Sequence, residues 1–309
     1  MTRPPPVRRL WAGFLGIILL AATPMAAWAG DDPRIPIAPL NEQILMIAGN
    51  PARPVTLEVT YFTPPGPGPF PLAIVNHGAS KATRTNPGER QWIALESFYF
   101  LARGYAVAMP MLRGFAGSGG RMIRLGCNLS ALAVENARNI AAVIRNIGQR
   151  PEIDVSRVVV TGQSFGGWNT MGLSVLPVPG LRGLVLFNAG VRDGDCKTQD
   201  EAMLGSATLI GEHAWPPSLW FYGENDRLLP TSLWQEIHAA FARGGTAAEL
   251  VDIGKFGTDS HSFLAYQNAR PLWEPKLDAF LAQLGLPNSV LFPDYQVPKH
   301  LSASGKKPQ

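Results

Sequence analysis

Residues 158–168 read Val158-Val159-Val160-Thr161-Gly162-Gln163-Ser164-Phe165-Gly166-Gly167-Trp168. A β-branched run passes directly into Gly-x-Ser-x-Gly and then into helix-compatible sequence. This is the pattern of a buried strand that turns sharply at a serine and enters a helix, leaving the hydroxyl at the apex of an elbow. Gly162 and Gly166 flank the turn because a Cβ at either position would run into neighbouring backbone. The amide of Phe165 opens the helix and points to where an oxyanion would form beside Ser164.

Outward from the elbow the chain alternates short apolar runs with helical patterns. Ile44–Ala48 and Val55–Phe62 are expected as the first strands. Pro64-Pro65-Gly66-Pro67-Gly68-Pro69 is then expected as a rigid connection between edge strands. Leu72–Val75 and Tyr105–Met111 are wholly apolar, as in strands buried on both faces. Helices are expected over Gln91–Arg103, Leu129–Ile147, Leu233–Arg243 and Trp273–Leu284. Strands are expected at Leu184–Asn188, Leu219–Tyr222 and Glu249–Ile253, and Val191–Pro217 reads as an irregular excursion with one helix. Alternation of this kind specifies an α/β fold with a mainly parallel sheet of about eight strands covered by helices on both faces. Right-handed crossovers place the C-terminal end of every parallel strand on one edge, where sites in such sheets form.

A serine hydroxyl is a weak nucleophile at neutral pH. It needs a base for its proton, and the base needs a carboxylate to fix its tautomer. After an elbow of this type the acid precedes the histidine along the chain. His261, in Asp259-Ser260-His261-Ser262-Phe263 beyond the last strand, is the expected base. His77 precedes the elbow and reads as structural or as shaping the oxyanion loop. His213, His238 and His300 lie in the excursion, a helix and the tail. Asp226, in Gly223-Glu224-Asn225-Asp226, is the favoured acid, with Glu224, Asp193, Asp195 and Asp259 as rivals. His77-Gly78-Ala79 follows a buried strand, so the Ala79 amide is the expected second oxyanion donor beside that of Phe165. Trp168, Phe115, Trp215 and Phe263 are candidates to line a pocket, with plain core as the alternative.

Composition bounds the rest. The 309 residues are 46% hydrophobic and 16% charged, which suits one well-buried domain. Met1–Ala29 has a basic start (Arg3, Arg8, Arg9), an apolar stretch over Leu10–Ala22 and a small-x-small site at Ala27-Trp28-Ala29. It is expected to be a signal peptide that directs export to the periplasm or medium, by a Sec or twin-arginine route. An uncleaved anchor is the competing reading, and no membrane span is expected after cleavage. Residues 30–285 are then the folded domain, and 286–309 a loose tail. The formal charge is +4; without the leader's three arginines the 27 Lys and Arg fall to 24 against 23 Asp and Glu. With no Lys/Arg-rich block interleaved with aromatics, nucleic-acid binding is rejected. The two cysteines, Cys127 and Cys196, suit one disulfide in an exported chain, with a pair of free thiols as the alternative. No Cys/His spacing suggests zinc.

On these motifs the chain resembles the α/β-hydrolase superfamily, in the branch of dienelactone hydrolase-like esterases and prolyl-oligopeptidase-type peptidases. The resemblance runs over roughly Val55–Leu284. It is carried by Asn76-His77-Gly78, Arg113-Gly114 with its trailing glycines, the 162–167 elbow, Gly223-Glu224-Asn225-Asp226 and Ser260-His261-Ser262-Phe263. It implies Ser164 as nucleophile, His261 as base and Asp226 as orienter. The Val191–Pro217 excursion is short for a lid, so a minimal cap is expected, and the expected reaction takes a small ester or acyl substrate with neither cofactor nor metal. True dienelactone hydrolases carry cysteine where this chain has Ser164. The expectation is an ester-cleaving serine hydrolase. The competing expectations are a peptidase or amidase, and a non-catalytic binding protein on the same fold.

Overall fold

The computed structural model describes residues 1–2, 41–79, 88, 90–91, 94–192 and 194–296. Apart from residues 1–2, the expected leader lies outside them, as do residues 30–40, Asp193 and the tail beyond residue 296. The strands are β1 (Gln43–Ala48), β2 (Thr56–Phe62), β3 (Phe70–Asn76), β4 (Ala106–Pro110), β5 (Ile153–Gln163), β6 (Leu181–Phe187), β7 (Ser218–Tyr222) and β8 (Ala248–Asp252). Helices α1 (Ala94–Ala102), α2 (Leu129–Ile147), α3 (Phe165–Leu173), α4 (Gln199–Gly211), α5 (Thr231–Ala242) and α6 (Arg270–Gln283) connect or follow them.

The strands form one sheet in the order β1-β2-β4-β3-β5-β6-β7-β8. β1 and β2 pair antiparallel, as do β2 and β4, and every other pairing is parallel. Side chains alternate between two cores with period two, as a pleated strand dictates. On β5, Val158 and Val160 enter the core beneath α2, α3, α4 and α5, whereas Val159 enters the core beneath α1 and α6. The same alternation divides Leu72 and Ile74 from Ala73 and Val75 on β3, and Trp220 and Tyr222 from Leu219 and Phe221 on β7. The continuous apolar runs in the sequence thus belong to strands covered on both sides.

Three expectations are corrected. The Pro64–Pro69 segment does not join two edge strands. It carries the chain from β2 past the place of β4 to β3, which lies inside the sheet against β4 and β5. The tail is not loose from residue 286. Leu286 and Tyr295 are buried, and the amides of Leu291 and Phe292 donate to the carbonyl of Ala102 at 2.8 and 2.9 Å, tying residues 286–296 to the end of α1. α6 also begins three residues earlier than expected, at Arg270, with Pro271 in its first turn, where a missing N–H costs no helical bond.

The parallel strands place the loops after β3, β4, β5, β6, β7 and β8 along one edge of the sheet. The excursion after β6 is a short loop followed by α4. A disulfide between Cys127 and Cys196 joins that loop to the segment before α2, beside an Arg124–Asp195 ion pair of 2.8 Å. Among the described residues no helix is long and apolar enough to cross a membrane.

Candidate active site

Ser164 stands between the last residue of β5 and the first of α3, with φ 55° and ψ −119°. A non-glycine residue held there stores backbone strain of about 1–3 kcal/mol and persists only where its surroundings fix it. Here the Ser164 amide donates to Phe187 O at 2.8 Å, and its carbonyl accepts from Trp168 N at 3.0 Å and Gly190 N at 3.2 Å. The flanking glycines are required by close approach. A Cβ on Gly162 would lie 2.5 Å from the Gly166 carbonyl carbon, and one on Gly166 would lie 2.2 Å from Asn76 O.

The loops after β7 and β8 bring two side chains to this serine. His261 Nε2 lies 2.9 Å from Ser164 Oγ, and His261 Nδ1 lies 2.8 Å from Asp226 Oδ2. A carboxylate can only accept, so Nδ1 carries the hydrogen and Nε2 is left to accept the serine proton. The Asp226 side chain is fully buried, and its charge is compensated by hydrogen bonds. Oδ1 accepts the amides of Leu228 and Leu229 at 2.8 and 2.9 Å, and Oδ2 accepts Asn188 Nδ2 at 2.9 Å besides the imidazole.

The rivals lie elsewhere. Glu224 is solvent-exposed, Asp195 is paired with Arg124, and Asp259 binds backbone amides rather than an imidazole nitrogen. His238 Nε2 lies 3.0 Å from Ala248 O, and His213 is exposed in the turn after α4.

His77 is buried beneath the loop after β3. Leu112 donates its amide to His77 Nε2 at 3.0 Å, and Nδ1 lies 2.7 Å from Gly78 O. The ring therefore ties the β3 loop to the β4 loop, and burial lowers its pKa to about 4. The loop so held passes beside the nucleophile: a Cβ on Gly78 would stand 3.5 Å from Ser164 Cβ. Among the described residues neither the Ala79 amide nor the Phe165 amide donates to a protein acceptor. An amide without a protein acceptor is free to receive an oxyanion.

Three of the four aromatics considered for a pocket are core: Trp168, Phe115 and Phe263 are buried. Trp215 is exposed, but it precedes β7 and so sits at the opposite edge of the sheet. Arg113, in the glycine-rich loop, reaches Arg53 O and Pro54 O near the β1–β2 turn.

Sequence reading passed over two residues of this site. Asn188 has φ 45° and presents its amide to Asp226. Its place after a buried strand, at the same level as Ser164 and Gly223, was the available signal. Gln163 donates from Nε2 to His261 O at 2.8 Å, linking the nucleophile's neighbour to the base's backbone; no signal in the sequence marked it.

Comparison with known proteins agrees with this architecture. Residues 54–196 match the profile of the X-Pro dipeptidyl-peptidase (S15) family. No curated protein matches the chain. Among solved structures it is similar to a protein described as a dienelactone hydrolase from Klebsiella pneumoniae, with 16% identity and TM-score 0.56 over 80% of this chain and 99% of that one. An esterase of Pyrococcus furiosus gives 16% identity and TM-score 0.57, covering 80% and 91% of the two chains. A puromycin-hydrolyzing peptidase of Mycobacterium tuberculosis gives 19% and 0.57, covering 81% of this chain but 41% of that longer one. The chain has the α/β-hydrolase fold.

Proposed function

We propose that the protein is an exported serine hydrolase that cleaves carboxylic esters through an acyl-enzyme. The observation that carries this reading is the continuous chain from Ser164 Oγ through His261 to the buried Asp226, with links of 2.9 and 2.8 Å. Ser164 attacks the ester carbonyl while His261 Nε2 takes its proton. The Ala79 and Phe165 amides hold the oxyanion. The imidazolium, steadied by Asp226, returns the proton to the departing alkoxide. Water, activated by the same His261, then releases the acid and regenerates the serine.

Preference for esters is supported by the likeness to the P. furiosus esterase over 91% of its length, against 41% for the M. tuberculosis peptidase. The leader-like Met1–Ala29 and the Cys127–Cys196 bridge support export. The test is turnover of p-nitrophenyl acetate and labelling by a fluorophosphonate. Ser164→Ala is expected to abolish both while the protein stays folded. Undiminished turnover in that variant overturns the reading.

A second reading, an exported peptidase or amidase, is favoured by the S15 family match over residues 54–196. Faster cleavage of dipeptidyl anilides than of simple esters would put it first.

A further inference from the structure

The acid and the base of the site belong to loops after neighbouring strands, β7 and β8, and β8 is the edge of the sheet. The base loop therefore has a strand partner on one side only, and it contains Gly254 and Gly257 at φ 71° and 52°. His261 itself sits in a 3-10 turn, Ser260–Ala265, whose Phe263 is buried, and Gln163 Nε2 holds its carbonyl at 2.8 Å. Besides these, the two loops are joined at three successive levels. Glu224 N donates to Gly254 O at 3.0 Å. One step on, Asn225 Nδ2 reaches Phe256 O and Gly257 O at 3.3 and 3.1 Å, and Asn225 Oδ1 accepts Phe256 N at 2.9 Å. At the third level a single oxygen, Asp259 Oδ1, accepts Arg227 N at 3.1 Å and His261 N at 3.0 Å.

The third level differs from the others in what it touches. Arg227 is the residue after Asp226, and the other amide is that of His261 itself. One carboxylate oxygen thus holds the backbone of the base and the backbone next to the acid together.

We propose that Asp259 is a positioning residue: through Oδ1 it fixes the His261 backbone against the Asp226 loop, and so sets the Nδ1–Oδ2 separation on which the proton relay depends. This rests on the reading of Ser164, His261 and Asp226 as a catalytic relay. Asp259 acts as an acceptor of two N–H groups and not as a charge facing the ring. An asparagine oxygen at the same place can accept the same two bonds, whereas alanine accepts neither.

The experiment compares Asp259→Asn and Asp259→Ala in the full chain. Asp259→Ala is expected to lower kcat by about 10- to 100-fold with KM unchanged, since displacement of a reacting group by about 1 Å costs on that order. Asp259→Asn is expected to restore kcat to within about threefold of wild type, because its oxygen keeps both bonds. The far-downfield proton NMR resonance of an imidazole N–H bonded to a carboxylate should be sharp in wild type and Asp259→Asn, and broadened or lost in Asp259→Ala. Wild-type kcat in Asp259→Ala overturns the proposal. So does an equal loss in both variants, which would mark Asp259 as acting through its charge. Should Asp259→Ala fail to fold, Asp259→Glu, which keeps the charge but moves the accepting oxygen by one methylene, must show the kcat loss at constant KM, and a wild-type kcat there overturns it. The resonance is read without turnover. A wild-type protein that shows it yet cleaves neither esters nor peptidyl anilides fails the functional reading and leaves the clamp standing.

Discussion

Leu112 donates its backbone amide to Nε2 of the buried His77 at 3.0 Å, which places the ring hydrogen on Nδ1 facing Gly78 O at 2.7 Å. One imidazole therefore satisfies a buried amide of one loop and a carbonyl of another, and it does so only when neutral. His77→Ala leaves Leu112 N–H without its acceptor and should cost about 1–3 kcal/mol in urea unfolding. It should also reduce ester turnover, because the loop bearing Gly78 and Ala79 loses its tether. The lowered pKa has a sign. Burial holds His77 at about 4, below its ordinary 6.5, so its contribution to stability is complete above about 6.5 and is lost as pH falls through about 4. Urea midpoints of wild type and of His77→Gln, which cannot bind that proton, should converge as pH is lowered through that range.

Glu96 on α1 pulls the other way. It is buried, it is hydrogen-bonded to Thr161 on β5, and its Oε2 has no partner among the described residues. Burial raises its pKa from 4.5 to about 8, the bond from Thr161 opposing the shift. The native state then holds a proton that the unfolded chain has released. The resulting stability is present below about 4.5 and is lost as pH rises through about 8. Glu96→Gln keeps the shape without the ionisation, and should melt higher than wild type at about pH 8 and much closer to it near pH 4.5. Parallel melting curves for the two proteins across that range would refute the assignment.

Asn188 offers a test of the acid's surroundings. Asn188→Gly removes the donor to Asp226 Oδ2 but suits φ 45°, whereas Asn188→Ala removes the donor and keeps the backbone strained. Both should lose about tenfold in kcat, in line with one charge-assisted bond of about 1.5–3 kcal/mol. The alanine variant should be the less stable by about 1 kcal/mol. A glycine variant as active as wild type would remove Asn188 from the site.

The elbow glycines make a structural prediction with a built-in control. Gly166→Ala sets a Cβ 2.2 Å from the backbone oxygen of Asn76 and should cost more than about 3 kcal/mol or prevent folding. Gly205→Ala, in α4 with nothing within 4 Å of the new atom, should be neutral or stabilising by about 0.5–1 kcal/mol. Thermal melts of the two variants side by side check both.

What could be read from the sequence was local. The elbow was legible because strand, turn and helix adjoin within eleven residues, and Asp226 and His261 because each follows a strand in the required order. The strand order was not, since nothing in β2, β3 or β4 states that β4 inserts between the other two. Trp168, Phe115 and Phe263 could not be assigned to cleft or core, because an aromatic beside a motif has the same pattern on either side of the backbone. The work of Asn225, Asp259 and Asn188 depends on loops about 30 to 40 residues apart meeting. The docking of Leu286 and Tyr295 escaped notice because two isolated apolar residues make no period.

The bridge from Cys127 to Cys196 spans 69 positions and closes them into a covalent ring. α2, β5, the turn at Ser164, α3 and β6 lie within that ring, whereas Asp226 and His261 lie outside it. A protease that clips the backbone once between these cysteines yields two fragments that run as one band on a gel until a thiol is added. The serine's half of the site can thus survive a single cut as one molecule, and a cut between Cys196 and Asp226 separates it from its partners with only non-covalent contacts left to hold them.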